Sequence, residues 1–200
     1  MSAGFWDAIA ERYAARPIGD EAAYEATLAR VRHWLSPEMR VVELGCGTGT
    51  TAGKLAPSVR EIIATDYADG MIRIAETRCT ANNLRFRCAG IEEALAGGPH
   101  DAVLAFNLLH LLEDMEGCLA HVHAALAPGG LFISKTPCVG ARWYLRPVVW
   151  LLQRLGKAPS FRFLKPEAVE VAIRDAGFEI LETGDYPPKL PSRFLVARRL

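Results

Sequence analysis

Two short stretches hold residue types that could bind and orient a charged nucleoside: Glu43-Leu44-Gly45-Cys46-Gly47-Thr48-Gly49 and, 21 residues beyond Gly45, Asp66. Glycines let backbone approach a ligand closely, and a helix opening behind them offers free N–H groups. A carboxylate at the end of the next strand can accept hydrogen bonds from both ribose hydroxyls. A pyrophosphate cradle asks for G-x-G-x-x-G, which would place its third glycine at position 50. That residue is Thr50, and the glycine stands one place earlier at Gly49. A pyrophosphate gains nothing from Glu43, two residues before the first glycine, whereas a ligand bearing an ammonium group does. The loop therefore favours a cationic nucleoside over a dinucleotide.

These residues need a scaffold that brings two strand ends together. Short apolar runs at Arg40 to Leu44, Glu61 to Thr65, Leu84 to Cys88, Asp101 to Phe106 and Gly130 to Lys135 alternate with helix-like stretches. Those stretches lie near Thr50 to Leu55, Asp69 to Ala81 and Glu113 to Leu126. That rhythm predicts an α/β fold, a Rossmann-like, mostly parallel sheet with helices on both faces. Two helices are expected before it, one through Phe5, Trp6, Ile9 and Tyr13 and one over Asp20 to Leu35. After it come a helix from Pro166 to Ala176, ended by Gly177, and strands near Phe178 to Thr183 and Arg193 to Arg198. The short link through Pro187-Pro188 predicts an antiparallel last strand. The organisation expected is one domain over 1–200, with N-terminal helices over 1–37 and a variable, lid-like insertion over 139–165.

Composition narrows the function classes. The chain has 200 residues, half of them hydrophobic, and 23 basic against 23 acidic side chains, so its formal net charge is zero. A nucleic-acid partner usually calls for a basic excess, and none is present globally. The five cysteines (Cys46, Cys79, Cys88, Cys118 and Cys138) form no CxxC pair and no metal-ligand spacing. Free thiols in a reducing cytoplasm are the simplest reading. The N-terminus lacks the basic start and apolar run of a signal peptide, and no apolar stretch suffices to cross a bilayer. A cytoplasmic protein is expected.

Four stretches in order and spacing resemble the class I S-adenosylmethionine-dependent methyltransferases of the small-molecule type. They are Glu43 to Gly49, Asp66-Tyr67-Ala68-Asp69-Gly70-Met71, His123 to Gly130 with its Leu-x-Pro-Gly-Gly turn, and Lys165-Pro166-Glu167 through Phe178. The resemblance covers nearly the whole chain and implies S-adenosylmethionine as cofactor. By position it implies that Gly45, Cys46 and Gly47 follow the methionine part, with Gly49 completing the turn and Glu43 supporting the loop and the amino group. Asp66 would hold the ribose, and Tyr67 would lie against the adenine, with Met71 in the same turn. Gly90 and Ile91 occupy the place after the third strand where the family often carries an acid, and Glu92 comes next. Phe106 and Asn107 would border the sulfonium. Tyr13 matches a helix tyrosine that closes over the cofactor in relatives; a plain packing aromatic is the equal alternative.

Methyl transfer from a sulfonium needs alignment first, which can supply roughly 7 to 11 kcal/mol, and a base only if the acceptor must lose a proton. His110, in Asn107-Leu108-Leu109-His110-Leu111-Leu112, is the base candidate, against a histidine that merely packs there. His100, His121 and His123 have less in their favour. Asn107-Leu108-Leu109-His110 lacks the prolines and aromatic of nucleobase-amine methyltransferases. Cys138 is a nucleophile only if its thiol pKa is depressed, and otherwise a small apolar residue.

From Arg142 to Lys165 there are six basic residues (Arg142, Arg146, Arg154, Lys157, Arg162 and Lys165) and no acidic one, interleaved with Trp143, Tyr144, Trp150, Phe161 and Phe163. Three readings compete: a lid whose arginines meet an anionic acceptor, an amphipathic helix on an acidic lipid surface, or a surface helix packing Trp and Leu into the core. The function expected is methyl transfer to a small acceptor of apolar or anionic character. A non-catalytic cofactor-binding regulator and a nicotinamide-dependent oxidoreductase stand behind it.

Overall fold

Strand formation follows the apolar runs closely in the computed structural model, which describes residues 3–142, 144, 146–156, 158–186 and 192–200. The strands are β1 (Arg40–Leu44), β2 (Glu61–Asp66), β3 (Leu84–Cys88), β4 (His100–Phe106), β5 (Leu126–Pro137), β6 (Phe178–Asp185) and β7 (Ser192–Arg199). They form one sheet in the order β3-β2-β1-β4-β5-β7-β6. β1 pairs in parallel with both β2 and β4, so the strand order reverses between β1 and β4. β7 runs antiparallel to β5 and to β6. The Pro187-Pro188 link lies outside the described residues.

The helices are α1 (Ala3–Ala14), α2 (Glu21–Trp34), α3 (Thr50–Leu55), α4 (Asp69–Arg78), α5 (Ile91–Leu95), α6 (Met115–Ala125), α7 (Arg146–Arg154) and α8 (Pro166–Asp175). Leu28 and Val31 of α2, Ala52 and Leu55 of α3 and Ile72 of α4 join Val41, Ile62 and Leu104 in a core on one face. Ala94, Leu119, Val122, Val169 and Ile173 of α5, α6 and α8 join Val42, Val103 and Phe132 on the other. Central strands covered on both faces must be apolar along their whole length, and Ala102 to Ala105 of β4 are fully buried. At the edge, β3 alternates Leu84 and Phe86 with Arg85 and Arg87, and the charges blunt its open side.

Several boundaries differ from the sequence expectation, each for a local reason. α4 stops at Arg78, because Cys79 turns extended while its N–H still caps Ala75. β5 begins four residues early at Leu126. His100 pairs with Leu126 and Ala102 with Leu131, so the Pro128-Gly129-Gly130 turn forms a bulge inside the strand. α5 is one short turn after β3 that periodicity could not resolve.

Two bonds tie α1 to α4 beside the sheet's carboxyl end. The Asp7 carboxylate of α1 accepts from the Gly70 N–H at 2.8 Å, and Arg78 donates to the Ala14 carbonyl at 2.9 Å. Asp20 caps α2 by accepting from the Ala23 N–H at 2.9 Å, and Lys135 of β5 donates to Thr27 of α2 at 2.9 Å.

Candidate active site

A cavity of about 420 Å³ opens where the carboxyl ends of β1 to β4 meet, at the point where the strand order reverses. Open α/β sheets bind ligands at that place because the loops on either side diverge there. The volume lies within the usual range of small-molecule sites, ~300 to 1,000 Å³.

The glycine turn forms one wall. Gly45 and Gly47 have φ of +66° and +54°. The φ at Gly45 favours glycine, and a Cβ there would also crowd a Leu108 methyl at 2.9 Å in the loop after β4. The Cys46 N–H donates to the Thr65 carbonyl at 2.8 Å, tying the turn to β2. Cys46 itself is buried, and burial raises its thiol pKa first, with Glu43 adding to the rise. Gly49, at φ +77°, begins α3 and does not line the cavity; its bare Cα faces Phe86 and Ala75.

Two carboxyl groups face this turn. Asp66 accepts from the Gly47 N–H at 3.0 Å through Oδ2 and from the Ala68 N–H at 2.9 Å through Oδ1. Each oxygen keeps a lone pair for a further donor. Burial raises its pKa despite those bonds. Glu43 is 2% exposed, and its Oε2 has no hydrogen-bond partner among the described residues. Burial, with the Asp66 charge adding, pushes its carboxyl up to about 8. A buried acid with an unmet oxygen, lining a cavity, suits a cationic ligand that would draw off its proton.

Aromatic and apolar groups complete the enclosure. Trp6 and Tyr13 reach in from α1 with rings edge to face at 6.1 Å. Tyr67 and Met71 line the side after β2, and Gly90 and Ile91 the side after β3. Glu92, the acid next to Ile91, points away and meets His121 at 3.4 Å. Phe106 and Asn107 close the end of β4. Asn107 has φ +54°, a left-handed conformation that asparagine tolerates better than most residues, and its N–H donates to the Lys135 carbonyl at 2.7 Å.

The structure thus gathers Tyr13, Glu43, Gly45, Cys46, Gly47, Asp66, Tyr67, Met71, Gly90, Ile91, Phe106 and Asn107 around one cavity, and leaves Gly49 behind it. His110 also lies outside the lining. It sits on a single 3-10 turn, Leu109–Leu111, with its ring 6.2 Å from Phe161 and its carbonyl accepting from the Arg162 N–H at 2.6 Å. Burial pushes its imidazole down to about 4, so it is neutral at physiological pH. Its neighbours Leu108, Leu111, Leu112 and Glu113 do line the cavity. His100 is buried at the far end of β4, and His123 packs on Phe178. Cys138 is 3% exposed with its pKa raised by burial, the opposite of an activated thiol.

Trp6 and Thr51 line the cavity without having been singled out, as do the leucines around His110. Trp6 stands seven residues from Tyr13, two helical turns, so their shared face was readable. Leucines carry no such signal, because a pocket wall and a core want the same side chain.

Fold and cavity together define a nucleoside-binding site of the doubly wound α/β class. Residues 14–183 match the family described as a methyltransferase domain, and the chain belongs to that family. The chain is 28% identical over 155 residues to the ubiquinone biosynthesis O-methyltransferase of Chromobacterium violaceum, covering 73% of this chain and 67% of that one. It is 31% identical over 108 residues to the malonyl-[acyl-carrier protein] O-methyltransferase of Bacillus cytotoxicus, covering 52% of this chain but only 38% of that protein. The magnesium protoporphyrin IX methyltransferase of Synechocystis PCC 6803, solved with bound SAH, superposes with a TM-score of 0.73 at 19% identity, over all of this chain and 95% of that one. Among the described residues no helix is long and apolar enough to cross a membrane.

Proposed function

We propose that this chain binds S-adenosylmethionine in the cavity at the ends of β1 to β4 and transfers its methyl group to a small-molecule acceptor. The observation that carries this reading is the Glu43 carboxyl, buried with one oxygen unmet beside Asp66 and the glycine turn. A dinucleotide would bring phosphates to that acid; a cationic amino acid nucleoside brings the charge it lacks. When bound, the cofactor supplies an electrophilic methyl group on a sulfonium.

The chain's own residues hold and orient. Gly45 to Gly47 present backbone to the amino acid portion, and Glu43 meets its ammonium. Asp66, already fixed by two backbone N–H groups, takes the ribose hydroxyls. Tyr67, Met71, Gly90 and Ile91 enclose the base, which backbone groups recognise because Glu92 faces elsewhere. Phe106, Asn107 and Leu108 border the sulfonium, and Trp6 and Tyr13 close the cavity against water from α1.

No proton-transfer role is assigned to His110, since an imidazole held near 4 is a weak base at pH 7 and its ring lies outside the lining. The zero net charge supports a small molecule over a nucleic acid. Five unpaired cysteines support a reducing, cytoplasmic setting.

Calorimetric titration with S-adenosylmethionine and with NAD tests the cofactor, with saturable binding of the first alone expected. Release of S-adenosylhomocysteine against a panel of phenols, carboxylates, amines and lipids tests turnover. Cofactor binding with no release from any acceptor would favour a regulatory binder; indifference to the sulfonium would overturn the whole reading.

A further inference from the structure

The insertion between β5 and α8 presents its apolar side outward. Six of the ten large apolar side chains exposed on the described surface fall between Tyr144 and Leu155. In α7 and the turn after it, Val148, Leu151, Leu152 and Leu155 follow the spacing i, i+3, i+4, i+7 and are 36% to 57% exposed. At 100° per residue they share one stripe, and α7 buries no residue at all. A surface helix normally turns such a stripe into the core. Val149 and Gln153 are the half-buried positions of α7, the Gln153 amide donating to the Pro159 carbonyl of the same insertion at 3.0 Å.

The charge on this segment has one sign. Arg146 and Arg154 fall on the side of α7 away from the stripe, and among the described residues neither has a carboxylate partner. Arg154 lies over the Trp150 ring at 5.0 Å and Arg146 over the Phe163 ring at 5.3 Å. No acidic residue occurs from 142 to 165. The segment is hinged on two backbone bonds, Gly140 N–H to the Leu164 carbonyl and Arg162 N–H to the His110 carbonyl. The second ties it to the turn whose Leu111 and Leu112 line the cavity.

We propose that α7 docks this protein on an anionic phospholipid surface. The leucine and valine stripe enters the acyl boundary, and the long arginine side chains of the opposite face extend around the helix to headgroup phosphates. A second copy of the chain is the weaker occupant, because self-pairing would set an all-basic segment against itself. Docking brings the cavity rim to the lipid surface, and it stands whether or not the methyl-transfer reading does.

The test is flotation of the full chain with large unilamellar vesicles, pure phosphatidylcholine against an equal mixture with phosphatidylglycerol. Partitioning onto the anionic vesicles alone is expected, weakening as salt rises. The double substitution Leu151→Glu with Leu155→Glu should abolish it. Arg146→Gln with Arg154→Gln should lower it by about fivefold per arginine, the effect of roughly 1 kcal/mol for each basic residue near such a surface. All four residues are solvent-facing, so circular dichroism and thermal melting should match the parent chain. Equal partitioning onto both vesicle types, or binding untouched by the leucine substitutions, overturns the proposal. So does a dimer in sedimentation equilibrium that those substitutions split, since the stripe would then be covered by a second copy.

Discussion

If the cavity receives a cation beside Glu43, binding must expel a proton. At pH 7 a carboxyl raised to about 8 is roughly nine-tenths protonated. A ligand whose ammonium requires the carboxylate therefore selects the minor form. Its apparent affinity at pH 7 is reduced about tenfold, or about 1.4 kcal/mol, and close to one proton leaves per ligand bound. Isothermal titration of S-adenosylmethionine in buffers of different ionisation enthalpy counts that proton directly. The parent chain should release about 0.9 proton at pH 7, with affinity climbing nearly tenfold from pH 6 to 7 and levelling above 8.

Glu43→Gln keeps the shape and the buried hydrogen-bonding atom but cannot ionise. It should release no proton, bind more weakly, and fall further behind the parent as pH rises towards 8. The stability of the unliganded protein moves the other way. The folded chain holds this proton more tightly than the unfolded one, so its contribution is full below about 4.5 and is lost as pH rises through about 8. Glu43→Gln should accordingly melt higher than the parent at pH 8.5 and lose that advantage near pH 5. Binding without proton release, matched by an unaltered affinity in Glu43→Gln, would refute the pairing of this acid with the cofactor's cation.

Three other substitutions probe separate parts of the site. Asp66→Ala should weaken cofactor binding by about 1 to 3 kcal/mol in the same titration, the usual cost of losing charged hydrogen bonds; unchanged affinity would mean the ribose sits elsewhere. Gly49→Ala should lower stability by about 1 to 3 kcal/mol in urea unfolding, because its Cβ would stand 2.7 Å from Phe86 at a left-handed φ; an unchanged midpoint would show that the turn can relax. His110→Gln should leave the pH dependence of kcat/KM between 5 and 8 unaltered, since the imidazole is neutral throughout that range; loss of an inflection there would restore it as a base.

The sheet was legible because central strands bury both faces, and that writes itself as apolar runs such as Ala102 to Ala105, interrupted only by buried polar groups such as Glu43. The glycine turn was legible for a related reason, since its left-handed backbone, crowded by Leu108 at Gly45, leaves no room for a side chain. Reading failed where one residue type serves two purposes. Leu111 and Leu112 line a cavity while Leu109, between them and Leu108, is fully buried core. Gly49 stands in the same motif as Gly45 yet answers to Phe86 and not to a ligand.

The segment over 142–165 shows the same ambiguity from the other side. Its apolar periodicity was plain, but periodicity fixes only that a stripe exists, and the direction it faces is set by what else the helix packs against. Val149 and Gln153 are half-buried while Val148, Leu151, Leu152 and Leu155 are left to solvent, and the reading that packs them inward fails. About half the area of these four side chains stays in water, at a cost of roughly 25 cal/mol per Å². A fold that covers its central strands on both faces yet leaves this stripe bare keeps apolar area in water there, and docking on an anionic lipid surface would remove it.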